Sequence, residues 1–204
     1  PATDLAENMP APDHQVAALH SHLYTEPDLK RPVAGIISMS AQVKIIDVEG
    51  KFCRIASGHW LHSRHLVSLD YSTQDFIGTA LKFIGVPYLW GGRTAFGLDC
   101  SSLVQLALGM AGITVPRDSD LQEAGPDAVG SLVEMADEQD FSHLEEGDLV
   151  FFPGHVGLFV NGWRFLHANA FDMQVSLHGF SDVLDRANRD NAGVSSIRRI
   201  TPSH

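Results

Sequence analysis

Three residues of the chain have types and positions that suit thiol chemistry. Cys100 lies in the stretch GLDCSSLVQLALGMAG, where a helix is predicted to begin, and His155 and His167 lie in the later strand-like runs HVGLFV and RFLHANA. Free N–H groups and the helix dipole lower the pKa of a cysteine at a helix start. A nucleophilic cysteine also needs a base, and that base needs an orienting partner. Alone, Cys100 would more often be a core residue; together, the three residues predict a nucleophile that faces histidines on a sheet.

Hydrophobic periodicity predicts the elements that carry these residues. Two helices come first: one over 71–87, and one that begins after the N-cap Asp99 and ends before Gly112. Their apolar stripes are Phe76, Ile77, Ala80, Leu81 and Ile84 in the first, and Leu103, Leu106, Ala107 and Met110 in the second. A polar segment over 117–146, predicted as loop with a helical turn, separates them from the strand-like runs. Helices followed by strands indicate an α+β fold with an antiparallel sheet.

The spacing of the two histidines constrains the loop between their strands. A two-residue turn at Asn161-Gly162 would pair Val160 with Trp163 and point the histidines to opposite faces of the sheet. Both can face Cys100 only if the loop has an odd length or a strand carries a bulge. We therefore predict a three-residue loop at 160–162 with Gly162 in a left-handed conformation.

Composition limits the kinds of partner. Hydrophobic residues make up 44% of the 204 residues, as expected for a protein with a core, and no run approaches the roughly 18 apolar residues of a membrane helix. The formal net charge of −11 argues against nucleic acid or an anionic membrane as the main partner. Cys53, in a strand-like segment, is interpreted as a core residue. Cys53 and Cys100 are predicted to be free thiols, which mildly favours a reducing compartment.

The residues before the helices show a different pattern. Residues 1–12 are predicted to be a tail or linker, whereas 13–70 contain short strands with a hairpin turn at Glu49-Gly50. Short strands with tight turns favour a small β-barrel.

Several residues near these motifs also have plain structural interpretations. His59, His62 and His65 are three apart, but in a β-rich segment they would not converge, and no cysteine or carboxylate completes a zinc set. No metal or other cofactor is predicted. Gly91 and Gly92 are interpreted as turn residues that let the chain pass close to the cleft.

Arg117 has two interpretations. It could bind a carboxylate of the substrate, or it could form a salt bridge with Asp118 or Asp120.

Four stretches of the sequence closely resemble the NlpC/P60 cysteine peptidases, which cleave cell-wall peptides. They are PYLWGGRTAFGLDCSSLVQLALGMAGITVPRDSDLQ, EEGDLVFF, GHVGLFV and FLHANA, and they occur within residues 75–200 in the order and spacing of the family. The resemblance implies a papain-like catalytic domain with Cys100 as nucleophile, His155 as general base and then acid, and His167 as the residue that orients His155. It also implies that Tyr88 donates to the oxyanion and forms a wall of the substrate pocket.

A second, looser resemblance concerns the β-rich segment. Residues 13–70 are similar to a bacterial SH3 domain, whose end the stretch HWLHSRHL matches, and the peptidase domain would then span 71–204. An SH3 domain followed by an NlpC/P60 domain resembles the domain order of the γ-D-glutamyl-L-diamino acid endopeptidases. The expected partner is therefore a murein peptide in which L-Ala-γ-D-Glu is joined to diaminopimelate or lysine.

The same subgroup suggests how the substrate is selected. Its members bind the free amine of L-Ala through the residues that flank the cysteine and a serine on the following loop. Here these are Asp99, Ser101 and Ser119, with Tyr88 nearby. A carboxylate and hydroxyls are the groups that an ammonium requires.

Two other function classes remain open from the sequence. One is a wall-binding protein with an inactive peptidase domain, although the filled catalytic positions argue against it. The other is an acyltransferase or amidase that acts on lipids, as distant relatives of the fold do. The expected location is the cytoplasm, where wall fragments are recycled, or the periplasm if an export signal is missing from this chain.

Overall fold

The computed structural model describes residues 10–134 and 140–201, and it divides the chain into two compact units, 1–71 and 72–204. Most of the predicted tail, residues 1–12, lies outside the described residues. Both cysteines are free thiols, as predicted, and both are buried, which was predicted for Cys53 alone. Among the described residues, every helix is too short or too polar to cross a membrane.

The first unit consists of short antiparallel strands. They are β1 (His14–Val16), β2 (His20–Tyr24), β3 (Val33–Ser38), β4 (Gln42–Val43), β5 (Ile45–Glu49), β6 (Phe52–Ile55), β7 (Trp60–His62) and β8 (Leu66–Ser68). One sheet has the order β4-β1-β8 and the other the order β3-β2-β7-β6-β5. Glu49 pairs with Phe52 across the predicted hairpin turn, where Gly50 has a left-handed φ of +57°. The buried core of the unit includes Val16, Val43, Ile55 and Leu61.

The second unit packs helices against a six-stranded antiparallel sheet. Its helices are α1 (Phe76–Leu81), α2 (Cys100–Met110), α3 (Ser119–Ala124) and α4 (Phe180–Arg189). Its strands are β9 (Arg93–Thr94), β10 (Gly97–Leu98), β11 (Ser131–Leu132), β12 (Leu149–Phe152), β13 (His155–Val160), β14 (Arg164–Asn169), β15 (Gln174–Gly179) and β16 (Ser196–Arg199). The large sheet has the order β11-β16-β12-β13-β14-β15, and α2 lies against β13 and β14.

The helix α2, which carries Cys100, has clear signals at both ends. Asp99 is its N-cap, as predicted, and accepts a hydrogen bond of 3.0 Å from an N–H group of the first turn. At the other end Gly112, at φ +76°, closes a Schellman motif in which the Ile113 N–H donates to the Leu108 carbonyl. The predicted apolar stripe is buried throughout: Leu103, Leu106, Ala107 and Met110. Burial of this stripe holds the start of the helix against the sheet.

Two other helices differ from the prediction. α1 ends at Leu81, and Ile84, predicted on its apolar face, is about half exposed, whereas Phe83 is buried. Only strands are predicted after residue 146, yet α4 lies between β15 and β16. Its inward face has helical spacing and packs on the main core: Phe180, Val183, Leu184 and Ala187. The helical spacing of these residues is hard to recognise in the sequence because the helix is short and follows a strand directly.

The loop between β13 and β14 decides where the two histidines point. Val160 pairs with Arg164, so the loop has three residues, 161–163, and Gly162 has a φ of +75°. The predicted three-residue loop with a left-handed Gly162 is confirmed, but it begins one residue later, because Val160 still belongs to the strand. The odd loop length places His155 and His167 on the same face of the sheet.

Candidate active site

Cys100 is the first residue of α2, and its exposed fraction is 7%. Burial raises the pKa of its thiol, and the Asp99 carboxylate adds to this effect. Hydrogen bonds from the backbone N–H groups of Val156, Ser101 and Cys100 itself act in the opposite direction but are outweighed. The prediction of a lowered pKa at this helix start is therefore wrong, because the thiol is withdrawn from water. The bond from Val156 also places the sulfur beside the first residues of β13.

His155 and His167 form a hydrogen-bonded pair, with 2.8 Å between His155 Nε2 and His167 Nδ1. Burial lowers the pKa of His155 to about 4. Burial also lowers the pKa of His167 to about 2, and the neighbouring His155, His178 and Arg186 contribute to this shift. Both rings are therefore neutral near pH 7. Because Nε2 of His155 is occupied by this contact, Nδ1 is the ring nitrogen left for another partner.

Tyr88 lies between two cavities of the second unit. The larger, of about 490 Å³, contains Cys100, and the smaller, of about 310 Å³, contains His155 and His167; Tyr88 lines both. Burial is the main cause that raises the pKa of the Tyr88 hydroxyl, and the negative charges that Cys100 and Asp99 can carry raise it further. The hydroxyl therefore keeps its proton and remains a hydrogen-bond donor next to the thiol.

Arg117 forms a bidentate ion pair with Asp99. Its two terminal nitrogens donate to the two Asp99 oxygens over 3.0 and 2.6 Å, whereas Asp118 lies 4.0 Å away. The main partner of Arg117 is therefore Asp99, and the prediction that it would be Asp118 or Asp120 is wrong. A planar guanidinium binds best to a carboxylate that accepts two parallel hydrogen bonds, and Asp99 offers that geometry.

Asp99 also accepts hydrogen bonds from its own side of the cavity. The Gly91 N–H donates to it over 2.9 Å and the Ser101 hydroxyl over 3.3 Å. Burial alone raises the pKa of Asp99, but the hydrogen bonds, led by that from Arg117, lower it overall, so the carboxylate is ionised. Gly91 has a φ of +76°, which fits the predicted turn, and its role as a donor to Asp99 was not predicted.

The four residues predicted to bind an amine all line the larger cavity beside Cys100: Tyr88, Asp99, Ser101 and Ser119. Asp118 and Asp120 line the same cavity. Three carboxylates thus face a single guanidinium, that of Arg117, and the cavity carries a net negative charge.

Two residues that were not predicted hold α3, the helix that begins at Ser119. Gln122 is fully buried, and its amide donates to the Ser101 and Pro116 carbonyls over 3.0 and 2.8 Å. At the next position of the helix, the Glu123 carboxylate accepts hydrogen bonds of 2.6 and 2.7 Å from the hydroxyls of Ser195, which precedes β16, and Ser196, which lies in it. These bonds position Ser119 relative to both α2 and the sheet.

Comparison with known proteins gives a family for this arrangement. The model of the NlpC/P60 family matches residues 85–188, a range that includes Cys100, His155 and His167. The chain belongs to the NlpC/P60 family. The predicted catalytic fold, a mixed α/β domain of this family, is confirmed.

Curated relatives of this NlpC/P60 protein include two peptidases. Dipeptidyl-peptidase 6 of Lysinibacillus sphaericus is 30% identical over 126 residues, which cover 60% of this chain and 43% of that protein. The γ-D-glutamyl-L-lysine dipeptidyl-peptidase of Bacillus cereus is 26% identical over 166 residues, which cover 78% of this chain and 46% of that protein. The chain therefore spans less than half the length of these relatives.

Solved structures show the same NlpC/P60 fold. The crystal structure of an NlpC/P60 family protein from Bacillus cereus matches 94% of this chain and 64% of that chain, with a TM-score of 0.71 and 25% identity. NlpC2 from Trichomonas vaginalis matches 93% of this chain and 72% of that chain, with a TM-score of 0.51 and 22% identity. The second of these likenesses concerns the fold alone.

Proposed function

We propose that this NlpC/P60 protein is a cysteine endopeptidase that cleaves the γ-D-glutamyl–diamino acid bond of murein peptides. The proposal is carried by one observation: the Cys100 sulfur is held beside the start of β13, where His155 is hydrogen-bonded to His167 over 2.8 Å. The names of two relatives, a γ-D-glutamyl-L-lysine dipeptidyl-peptidase and a bifunctional muramidase/DL-endopeptidase of Bacillus subtilis, support this class of bond.

The reaction begins from a neutral thiol and a neutral imidazole. Burial raises the pKa of Cys100 and lowers that of His155, so the resting pair does not carry separated charges. His155 Nδ1 accepts the thiol proton as the sulfur attacks the γ-carbonyl carbon of D-Glu. The C–S bond forms, and the carbonyl π electrons move to oxygen. The resulting oxyanion accepts hydrogen bonds from the Cys100 N–H and the Tyr88 hydroxyl.

The second half of the reaction returns the proton. His155 donates it to the amine of the diamino acid as the C–N bond breaks, which leaves an acyl thioester on Cys100. His155 then takes a proton from water as the hydroxide attacks the thioester carbonyl carbon. The C–S bond breaks, the free carboxyl group of D-Glu leaves, and His155 returns the proton to the Cys100 sulfur. The leaving amine belongs in the smaller cavity, because His155 lines that cavity and Cys100 lines the larger one.

The larger cavity would bind the free amine of L-Ala. Asp99 is already paired with Arg117, so its charge is largely offset, and the two further carboxylates, Asp118 and Asp120, supply the net negative charge that attracts an ammonium. The Ser119 hydroxyl offers an acceptor for its N–H groups, and the Ser101 oxygen, which already accepts from Arg117 over 2.9 Å, has one further lone pair for them. An N-acylated peptide has no positive charge at this nitrogen and two N–H donors fewer, so it would bind more weakly.

We further infer that the first unit is an SH3-like domain. Support comes from its two small antiparallel sheets, which together contain eight short strands. The likeness to the Bacillus cereus protein extends over 94% of the chain and therefore includes most of this unit.

The decisive experiment is mass spectrometry of the products formed from L-Ala-γ-D-Glu-diaminopimelate and its lysine analogue. We expect cleavage between D-Glu and the diamino acid, and its loss in Cys100→Ala. The matched control is Cys53→Ala, which changes the other cysteine, in the first unit, and should retain turnover. Hydrolysis of acyl esters with no cleavage of these peptides would contradict the proposal and favour lipid chemistry.

A second comparison isolates the amine site. The same peptides are assayed with a free and with an N-acetylated L-Ala, using wild type and Ser119→Ala. We expect acetylation to raise KM in wild type, and Ser119→Ala to raise KM for the free peptide only. An equal effect of the variant on both peptides would contradict a role of Ser119 in amine binding.

A further inference from the structure

The histidine pair is the inner part of a longer row of hydrogen-bonded groups. His167 Nε2 lies 3.0 Å from Nδ1 of His178 on β15, and His178 Nε2 lies 2.8 Å from a carboxylate oxygen of Asp172. A guanidinium nitrogen of Arg186, on α4, contacts the same Nδ1 of His178 over 3.0 Å. The Arg186 guanidinium also stacks on the Phe171 ring, 4.6 Å from its centre, which holds it in place. These groups extend the pair away from the reacting atoms.

The two charged groups at the outer end decide which nitrogen of His178 carries the proton. A carboxylate can only accept a hydrogen bond, and a guanidinium can only donate one. Asp172 therefore requires a proton on His178 Nε2, and Arg186 requires an unprotonated Nδ1. The two requirements come from different elements and select the same tautomer.

Asp172 is ionised in this environment. Its pKa lies below the usual range, chiefly because the Ser176 hydroxyl approaches it, and the positive charge of Arg186 adds to this effect. Both Asp172 and His178 are only about one-quarter exposed, so the geometry between them is constrained by the surrounding protein.

The tautomer of His178 sets those of the next two rings in turn. His178 Nδ1 can only accept, and its one lone pair is shared by Arg186 and His167, so the 3.0 Å contact requires a proton on His167 Nε2. The neutral His167 ring then has an unprotonated Nδ1, which accepts from the Nε2–H of His155 across 2.8 Å. His155 Nδ1 is left unprotonated, which is the state that a base for Cys100 needs.

We propose that Asp172, His178 and Arg186 are positioning residues that fix the tautomers of His167 and His155 and so keep His155 Nδ1 free to accept the Cys100 proton. None of the three touches the reacting atoms. The inference rests on the proposed thiol chemistry for its effect on catalysis, but the tautomers themselves can be measured without a substrate.

The direct test is nitrogen-15 NMR of the imidazole rings in the full chain near pH 7. We expect His155, His167 and His178 each to show a protonated Nε2 and an unprotonated Nδ1. A proton on Nδ1 of His178 or of His167 would overturn the proposal, whether or not the protein cleaves murein peptides.

Variants of His178 then test the link to Cys100. A glutamine side chain can accept a hydrogen bond from His167 and donate one to Asp172, as His178 does, whereas phenylalanine can do neither. His178→Gln should therefore preserve the tautomer of His167, and His178→Phe should give a mixture of its two tautomers. When a metal-bound histidine loses the hydrogen-bond partner of its other ring nitrogen, activity falls roughly 10–100-fold, and we expect a comparable effect on a catalytic imidazole. We expect kcat to fall about tenfold in His178→Phe with little change in KM, and to recover most of this loss in His178→Gln.

The matched control is His22→Phe, the same substitution at an exposed residue of the first unit, which should leave kcat unchanged. Melting temperatures show whether each variant is folded. The rate of Cys100 alkylation provides a readout independent of murein peptides and should fall in His178→Phe more than in His178→Gln. Equal rates in a folded His178→Phe and in wild type would overturn the proposal. Altered tautomers and slower alkylation without peptide cleavage would support this inference while refuting the proposed substrate.

Discussion

Replacing Arg117 by methionine would remove the strongest partner of a buried carboxylate. Asp99 is 8% exposed, and Arg117 binds both of its oxygens over 2.6 and 3.0 Å. Removing one member of a buried ion pair costs about 3–5 kcal/mol. Donors from Gly91 and the first turn of α2 remain, and the Arg117 side chain is 26% exposed, so water screens the pair in part. We therefore expect the free energy of unfolding to fall by about 2–3 kcal/mol at pH 7.

The effect of Arg117→Met should depend on pH. The pKa of Asp99 is lower in the folded protein than in the unfolded chain, where it is about 3.9. Ionised Asp99 therefore stabilises the fold fully above that pH, and this stabilisation is lost as the pH falls through the pKa of the folded protein. Without Arg117 the native pKa rises, and the contribution is reduced or reversed. The difference between wild type and variant is then largest at neutral pH and becomes smaller in acid.

Differential scanning calorimetry at pH 7 and near pH 3 measures both parts of this prediction. For a chain of this size, 2–3 kcal/mol corresponds to a decrease in Tm of roughly 5–10 °C. The double variant Asp99→Asn with Arg117→Met should regain stability, because asparagine keeps the N-cap and removes the buried charge. Arg189→Met, at the exposed end of α4, is the control. A decrease that is the same at both pH values, or a double variant no more stable than Arg117→Met, would refute the reasoning.

Three further predictions follow from the same geometry. The rate of Cys100 alkylation by iodoacetamide, followed by mass spectrometry, should rise continuously with pH to beyond about pH 9, because burial raises the thiol pKa; a plateau at about pH 5–7 would instead indicate a thiolate–imidazolium pair. Gly157→Ala should lower the free energy of unfolding by roughly 1–3 kcal/mol in urea titrations, because the added Cβ would lie 2.5 Å from the Phe165 ring; unchanged stability would contradict this contact. Deleting Asn161 makes the loop even, so His167 should turn to the opposite face and kcat should be lost while the circular dichroism spectrum is retained; full activity would show that the strands shift instead.

The positions of the nucleophile and of the histidine strands could be predicted because each has a local signal. The cap Asp99 and the left-handed Gly112 mark the ends of α2, and both signals are contained within a few residues. Once His155 and His167 were both expected to face Cys100, the two-residue repeat of a strand required an odd loop between them. The exact position of the loop, 161–163, depends on where the pairing of β13 with β14 ends, and the alternation of side chains along a strand does not determine that.

The features that were missed depend on contacts between residues far apart in the chain. Nothing near Arg117 distinguishes Asp99 from the adjacent Asp118, because the choice is made by the approach of α3 to α2. The raised pKa of Cys100 results from burial under β13, and a helix start seen in sequence carries no information about that burial. The predicted roles of Tyr88 and Ser119 stay predictions, although the structure brings both to the cavity of Cys100.

The hydrogen bonds from Ser195 and Ser196 to Glu123 have a consequence for protein synthesis. β16, which contains Ser196, inserts between β11 and β12 in the sheet although it is translated after both. A nascent chain that has reached only α4 already contains Cys100 and the histidine hairpin, but it lacks the segment that anchors α3 from the side of the sheet. Of the two sets of bonds that position Ser119, only those of Gln122 can then form. The cavity beside Cys100 therefore reaches its final arrangement only after β16 has emerged, so an unfinished chain contains Cys100 and both histidines without the complete anchor of α3.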